Sequence, residues 1–163
     1  MQLFFLRHAE AEDVAPSDSA RRLTKKGELQ SKVVGEFCVR AGNVPDLIVT
    51  SPLARAERTA RIFSETAGGV DVVVERWMAS GMSADEFFDG LGAYRSTERV
   101  MVVGHEPDLS EAISAAIGSS TGAAVQVRKA SLTVVNLRTI RPGGGRIDFC
   151  LPVRLMTERG ENL

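Results

Sequence analysis

The sequence predicts an α/β fold with three layers, in which helices cover both faces of a mostly parallel β-sheet and antiparallel strands complete one edge. Two observations lead to this prediction. Short apolar segments alternate with longer ones in which apolar residues recur every three or four positions, a pattern typical of buried strands and amphipathic helices. The C-terminal part instead contains strand-like segments joined by turns, which favours antiparallel pairing at a sheet edge.

The first strand–helix pair is formed by the N-terminal part of the chain. The segment QLFFL (2–6) is apolar on both faces and predicts a strand inside the sheet. Apolar residues at helical spacing then predict a helix over 24–41, and Gly42 supplies its stop. The predicted inner face of this helix consists of Leu29, Val33, Val34, Phe37 and Cys38.

The second pair begins with DLIVT (46–50), which predicts another buried strand. Ser51 suits the N-cap of a helix, and Pro52 suits the first helical position because its missing N–H would be unpaired there anyway. A helix is therefore expected to begin directly after the strand. Its predicted inner face consists of Leu53, Ala56, Ala60 and Phe63.

Two further pairs follow. The segments VDVVVE (70–75) and RVMVV (99–103) predict strands. Between them, Ser83 with Glu86 three residues later forms the pattern of a capping box, which predicts the start of a short helix. A last helix is predicted over 108–117 after the second of these strands.

The C-terminal segments AVQVR (124–128), SLTVVNL (131–137) and RIDFCL (146–151) predict the antiparallel edge of the sheet. A chain of 163 residues is the usual size of one domain with one core. We therefore expect a single domain over 1–163.

Composition excludes several classes of function. The net charge is −1 and there is no polybasic block, so neither a nucleic acid nor a membrane is expected as a partner. QLFFL is too short for the core of a signal peptide, and no apolar segment approaches the roughly 18 residues of a membrane span. The two cysteines, Cys38 and Cys150, lie far apart and predict buried, reduced thiols. A cytoplasmic location is therefore expected.

The chain contains two histidines, and each directly follows a predicted strand. His8 lies in LRHAE together with Arg7, and His105 lies in VVGHEPDLS. Arg55 lies one turn into the helix after DLIVT. Because ligands of open α/β sheets bind beyond the carboxyl ends of the strands, these four side chains are expected to share one edge.

Arginines around histidines suit a phosphoryl group better than a metal ion. The guanidinium group is a permanently charged, planar set of donors that matches phosphate oxygens. A metal ion would be repelled by the arginines, and the two histidines lack the carboxylate or thiolate ligands that usually complete a metal site. Neighbouring arginines also disfavour protonation of His8, which should keep it neutral and nucleophilic. An Arg–His pair alone is common, and Arg58 and Arg61 are expected to be surface residues. What makes the pattern specific is that these arginines and histidines combine positions at strand ends with a particular order and spacing along the chain.

Four segments together resemble the histidine phosphatase superfamily, also called phosphoglycerate mutase-like. They are LRHAE, RRLTKKG, VTSPLARAERTA and VVGHEPDLS, and they span residues 6 to about 110. The short chain, the SDSARRLTKKG segment and the lack of a large inserted cap are most similar to the SixA-type phosphohistidine phosphatase branch. The resemblance implies a phosphoglycerate mutase-like fold and a phosphatase that needs neither a metal nor another cofactor.

The resemblance also implies roles for individual residues. His8 would be the nucleophile that is transiently phosphorylated, while Arg7 and Arg55 would bind the phosphoryl oxygens. His105 would complete the pocket and stabilise the transition state. The family pattern Arg-x-Leu-Thr selects Arg21 as a further phosphate ligand over its neighbour Arg22, although a shift of one position would exchange them.

Two departures from the family pattern are informative. The usual Arg-His-Gly becomes Arg-His-Ala, with Ala9 tolerable if its φ is negative. Family members that cleave phosphate esters also carry a carboxylic acid to protonate the leaving oxygen, and no candidate here fits fully. The candidates are Glu75, Asp85, Glu86 and Glu106. Of these, Glu106 beside His105 is the most credible, because the capping box and the helix dipole explain Glu86 and Asp85, and Glu75 is one position out of register.

The lack of a clear acid favours phosphohistidine as the substrate. An alkoxide needs a proton in the transition state, whereas imidazole, with a pKa of about 6.5, departs readily once solvent has protonated it. The leading hypothesis is a metal-independent phosphatase that hydrolyses protein phosphohistidine through phospho-His8. The alternatives are a phosphatase for a small phosphorylated metabolite, a non-catalytic module that docks a phosphorylated partner, and a metal-dependent hydrolase.

Overall fold

The computed structural model describes residues 1–119 and 125–157, and all structural statements below refer to them. The strands are β1 (Gln2–Arg7), β2 (Leu47–Thr50), β3 (Val72–Val74), β4 (Arg99–Gly104), β5 (Leu132–Leu137) and β6 (Gly145–Leu151). The helices are α1 (Lys25–Arg40), α2 (Ala54–Thr66), α3 (Ala84–Leu91) and α4 (Asp108–Ala116). Short 3₁₀ turns join several of these elements.

The strands form one sheet in the order β3-β2-β4-β1-β5-β6. The first four strands in this order are parallel, whereas β5 and β6 are antiparallel to their neighbours. The predicted fold class, a mostly parallel sheet with an antiparallel C-terminal edge, is thereby confirmed.

Alternate side chains of the central strands enter two separate cores. Leu3 and Phe5 of β1 face one side, where α3 and α4 pack, and Phe4 and Leu6 face the side covered by α1 and α2. All four side chains are fully buried. A strand buried on both faces has no polar side to expose, which explains why Leu3 to Leu6 are all apolar.

The predicted helix ends are largely confirmed. The Thr24 side chain accepts a hydrogen bond from the Gly27 N–H at the start of α1, and Gly42, with φ of +63°, follows its end. At α3, the Ser83 and Glu86 side chains form both hydrogen bonds of the capping box. Within the described residues, no helix is both long enough and apolar enough to cross a membrane.

Three predictions about helices were wrong. Ser51 is not the N-cap of α2 and Pro52 is not its first residue, because the helix begins at Ala54 after Leu53. The Ser51 hydroxyl instead accepts a hydrogen bond from the Leu53 N–H at 3.2 Å, so it fixes the turn that leads into the helix. Leu29 was expected on the inner face of α1, but it is 47% exposed, because the buried face at this turn is formed by Gln30 and Ser31 instead.

The predicted strand over 124–128 is not formed at 125–128, and Ala124 lies outside the described residues. Val127 is nevertheless buried in the core, which accounts for the strand-like alternation of its segment. Cys38 is buried as predicted, but Cys150 is exposed, because it lies on the edge strand β6, in which no side chain is fully buried.

The sheet brings the ends of three strands together. In the parallel register, Arg7 of β1 pairs with Gly104 of β4, and Thr50 of β2 pairs with Val103. Consequently, the residues that follow these strands are neighbours at one edge. They are His8, Ser51 and His105.

Candidate active site

Backbone hydrogen bonds fix His8 at the end of β1. Its N–H donates to the Gly104 carbonyl at 3.0 Å, and its ring Nδ1 lies 2.8 Å from the Ala9 carbonyl oxygen. A carbonyl only accepts hydrogen bonds, so Nδ1 must carry the ring proton. The lone pair of the neutral ring is therefore on Nε2. Ala9 does not have a positive φ, so alanine replaces the family's glycine without strain.

His105 follows β4 and faces His8, with 5.3 Å between the ring centroids. Its Nε2 lies 2.8 Å from the Ser51 hydroxyl. Its Nδ1 is buried and has no hydrogen-bond partner within the described residues. Ser51, which sequence analysis explained as a cap alone, thus orients the second histidine.

Arg55 lies in the first turn of α2, and its side chain is only 5% exposed. Its Nε donates to His8 Nε2 at 3.3 Å, so a permanent positive charge lies beside the unprotonated nitrogen. Its Nη1 donates to the Asp18 carbonyl at 2.7 Å and its Nη2 to the Asp18 carboxylate at 3.0 Å. The same residue thus contacts both the candidate nucleophile and an anion.

Arg7 reaches the site from the last position of β1. Its Nη1 donates to the Val127 carbonyl at 3.0 Å, and its Nε is buried without a partner in the described part of the chain. An unpaired, buried N–H of a guanidinium group is costly unless a ligand accepts from it. Arg7 is therefore placed to receive an anion.

The structure distinguishes Arg21 from Arg22. Arg21 Nη1 donates to the Asp18 carboxylate at 3.2 Å, so Arg21 and Arg55 contact the two oxygens of the same group. Arg22 lies in a different depression, which Arg58 and Glu28 also line. The structure thus brings Arg21, and not Arg22, towards Arg55.

Asp18 is the residue that sequence analysis missed. It lies in a 3₁₀ turn over Asp18–Ala20, and hydrogen bonds from Arg55 and Arg21 lower the pKa of its exposed carboxyl group. The Nε and Nη2 of a guanidinium group share the edge that binds phosphate side-on. On Arg55 that edge is divided between His8 and Asp18, so Asp18 occupies a donor that a phosphoryl group would use.

Both histidines are neutral at pH 7. Burial lowers the pKa of His8 to about 3, and the proximity of His105, Arg55 and Arg7 acts in the same direction. Burial likewise lowers the pKa of His105 to about 4, assisted by Arg55 and Arg7. The neutral state expected for His8 thus has two structural causes. Burial contributes most to the lowered pKa, and the neighbouring positive charges contribute less.

Glu106 has the most unusual environment of the candidate acids. Burial raises the pKa of its carboxyl group, although Ser110 and Arg7 act against this, and its Oε1 has no partner within the described residues. Glu75 instead accepts a hydrogen bond from the Tyr94 hydroxyl at 2.5 Å.

The other two candidate acids belong to α3. Glu86 is used by the capping box, and Asp85 lies in the first turn of the helix. Over residues 1–119 and 125–157, no group of three or more histidine, cysteine or acidic side chains could hold a metal ion.

Sequence comparisons point to one family. The model of the histidine phosphatase superfamily (branch 1) matches residues 3–79. An uncharacterised protein of Picosynechococcus sp. is 34% identical over 151 residues, which cover 90% of this chain and 88% of that protein. The phosphohistidine phosphatase SixA homolog of Haemophilus influenzae is 27% identical over 138 residues, covering 72% of this chain and 78% of the homolog.

Structural comparisons agree with this fold. A structure of the protein histidine phosphatase SixA complexed with tungstate superposes with a TM-score of 0.87 at 21% identity, covering 96% of this chain and 100% of that one. A phosphoserine phosphatase mutant from Entamoeba histolytica, in complex with phosphoserine, superposes with a TM-score of 0.71 at 18% identity, covering 93% and 97% of the two chains. The fold is therefore shared by proteins with different named substrates.

Proposed function

The chain belongs to the histidine phosphatase superfamily and is a phosphatase, and from this premise we propose that it hydrolyses phosphohistidine on a protein through a phosphorylated His8. The observation that carries this proposal is the state of the His8 ring. Its Nδ1–H is held by the Ala9 carbonyl, and its unprotonated Nε2 accepts a hydrogen bond of 3.3 Å from Arg55 Nε, which a phosphoryl oxygen would take over as the phosphorus approaches. A fixed, neutral imidazole beside a guanidinium group is what in-line attack on a phosphoryl group requires.

The reaction proceeds in two displacements. In the first, His8 Nε2 forms a bond to phosphorus while the P–N bond to the substrate imidazole breaks, and the departing nitrogen takes a proton. In the second, a water oxygen forms a bond to phosphorus and the bond to Nε2 breaks, which releases inorganic phosphate and restores the neutral ring.

Positive charge around His8 stabilises both transition states. Arg55 and Arg7 would bind the equatorial phosphoryl oxygens, and Arg21 would join them once Asp18 gives up its hydrogen bonds. His105, with its free Nδ1, completes the pocket opposite His8. Fixed donors in a buried site stabilise developing charge more strongly than water does, because they need no reorganisation.

The leaving group favours phosphohistidine over an ester. Imidazole departs once protonated near its ordinary pKa of about 6.5, so the site needs no strong internal acid. The similarity to proteins named as phosphohistidine phosphatases supports the same choice.

A phosphatase for a small phosphate ester is the second candidate, and Glu106 is the observation that favours it. A half-buried carboxyl group with a raised pKa beside His105 is suited to protonate an alkoxide. The fold similarity to a phosphoserine phosphatase is consistent with this alternative.

The deciding experiment compares matched substrates. One synthetic peptide is prepared with phosphohistidine and again with phosphoserine at the same position, and both are offered to the purified protein with EDTA and no added metal. We expect a higher kcat/KM on phosphohistidine and no effect of EDTA. A preference for phosphoserine would favour the second candidate, and inactivation by EDTA would favour a metal-dependent hydrolase.

Variants test the nucleophile in the same assay. H8A should abolish hydrolysis yet still bind tungstate, because the arginines remain. R58A, which removes an exposed arginine of α2 that pairs with Glu28, serves as the control and should retain activity. Hydrolysis that survives in H8A would refute the assignment of His8.

A further inference from the structure

We infer that a basic pocket beside the active site docks acidic side chains that flank the phosphorylated histidine of a protein substrate. This inference rests on the proposed function and adds the kind of protein surface that the enzyme recognises. The pocket has a volume of about 350 Å³, and Arg7, Arg128, Lys129 and Arg154 line it together with Glu10. Arg7 belongs to both sites, so a group bound in the basic pocket lies next to the phosphoryl group.

The positive charge of this pocket is not neutralised by ion pairs with its own acidic residue. In the part of the chain that the structure describes, Arg128, Lys129 and Arg154 form no ion pair. The acidic residue of the wall, Glu10, accepts a hydrogen bond from Thr24 and lies 3.9 Å from Lys26, so its charge is already engaged.

Some exposed arginines outside this pocket do form ion pairs. Arg58, Arg61 and Arg99 each pair with a carboxylate at 3.1 Å or less. The net charge of the chain is −1, so a surplus of cations in one pocket does not follow from overall composition. Such a concentration of unpaired charge attracts groups of the opposite sign.

The turn that carries Arg128 and Lys129 is tied to the catalytic strand. The Ala130 N–H donates to the carbonyls of Arg7 and His8, at 3.1 and 3.3 Å. The Ser131 hydroxyl donates to the Arg128 carbonyl at 2.7 Å and holds the turn closed.

Backbone strain at this turn supports a functional purpose. Ala130 has φ of +53°, a left-handed conformation that costs a residue with a Cβ about 1 kcal/mol or more. Strain of this kind persists where the surroundings enforce it, and here it occurs in the turn that carries Arg128 and Lys129 and is hydrogen-bonded to the backbone of Arg7 and His8. Arg128 and Arg154 are exposed, so a second protein can reach them.

An acidic protein surface is the occupant that this charge fits. Carboxylates a few residues from the phosphohistidine, or beside it on a folded partner, would contact Arg128, Lys129 and Arg154 while the phosphoryl group contacts Arg7 and Arg55. Complementary charge of this type speeds association and selects partners more than it raises affinity, and it weakens with salt.

The test uses two phosphohistidine peptides of equal length, one with aspartates and one with lysines on both sides of the phosphorylated residue. The quantity measured is the ratio of kcat/KM on the acidic peptide to kcat/KM on the basic one, at low and high salt. Two variants are compared with the parent protein. R128E/R154E reverses charge in the pocket, and R146E reverses an exposed charge on β6 that pairs in register with Asn136, at the far end of the sheet.

We expect the parent protein and R146E to prefer the acidic peptide about tenfold at low salt, as charge complementarity allows, and salt to reduce this preference. In R128E/R154E the ratio should fall to about one or below. A ratio near one in the parent protein, or an unchanged ratio in R128E/R154E, would refute the basic pocket while leaving the proposed function intact. If neither peptide is hydrolysed but phosphoserine is, the proposed function fails, and this inference fails with it.

Discussion

The candidate site has two walls that are built in opposite ways. The strand-end wall consists of His8, His105 and Glu106, which follow β1 and β4. Both histidines are buried and hydrogen-bonded, and Glu106 is half-buried. The loop wall consists of Asp18 and Arg21, which lie on an exposed segment and hold each other and Arg55 through side chains. The groups that would react thus lie on the strand-end wall, whereas the loop wall carries an additional phosphate-binding group and its internal partner.

The difference has a physical basis. A nucleophile must be aligned within a fraction of an ångström, and strand ends in a buried sheet provide that alignment. A phosphate-binding loop must release its internal partner when substrate arrives, and an exposed carboxylate such as Asp18 is easily displaced because surface ion pairs are weak. The four predictions below test the two walls in turn, beginning with the largest expected effect.

The largest effect is expected from E106Q on the strand-end wall. If Glu106 protonates alkoxide leaving groups, E106Q should lower kcat on a phosphoserine peptide about 100-fold, the usual contribution of a general acid. Turnover of the phosphohistidine peptide should change by less than about threefold, because imidazole can be protonated by solvent. E111Q, at an exposed position of α4, is the control. Equal losses on both substrates would show that Glu106 is not a leaving-group acid.

The second expected effect of the strand-end wall is that the folded protein loses stability at acid pH. Because the folded protein lowers the pKa of His8 to about 3 and of His105 to about 4, the unfolded chain binds more protons between these values and pH 6.5. The free energy of unfolding should therefore fall as the pH drops below 6.5. Urea denaturation at pH 7 and pH 4.5 should show that H8Q removes roughly 2 kcal/mol of this fall. An identical fall in H8Q and the parent protein would contradict the buried, neutral state of His8.

On the loop wall, R21A and R22A form a matched pair of neighbouring substitutions. R21A should weaken tungstate binding about tenfold, because it removes one charge-assisted hydrogen bond from the anion. R22A should leave binding nearly unchanged, since its side chain lies in another depression. Calorimetric titration measures both, and a larger loss in R22A would restore the alternative that the sequence left open.

The smallest effect is expected from D18N. Removing the carboxylate charge from the Arg55 and Arg21 donors should tighten tungstate binding about threefold, because the anion no longer competes with a charged internal group. D71N changes an exposed aspartate elsewhere and controls for the loss of one negative charge. Weaker binding in D18N than in D71N would mean that Asp18 positions the arginines rather than competing with the substrate.

Sequence patterns predicted the fold class and the grouping of the histidines because these depend on local signals. Apolar runs identify strands, and parallel strands place their ends together, so His8 and His105 could be assigned to one edge before any coordinates. The order of the strands depends on long-range pairing, which no local pattern specifies. The strand predicted at 125–128 was wrong because the alternation reflects burial of Val127, whose carbonyl accepts a hydrogen bond from the Arg7 side chain instead of from the backbone of a neighbouring strand.

Contacts between distant segments were the other feature that could not be predicted from the sequence. Nothing in the local pattern around Asp18 shows that Arg55 will donate a hydrogen bond to its carboxylate, since 37 residues separate them. Ser51 was explained by a local signal, the N-cap of a helix, which was sufficient on its own. Only the packing of β2 against β4 shows that its hydroxyl lies against His105.

The most direct test of the central claim is to trap the covalent intermediate. The protein is mixed with a phosphohistidine peptide, quenched under alkaline conditions that preserve phosphohistidine, digested and analysed by mass spectrometry. The account predicts one added phosphoryl group in the parent protein, on the peptide that contains His8, and none in H8A. A phosphoryl group on any other residue, or single-turnover release of phosphate by H8A, would contradict it.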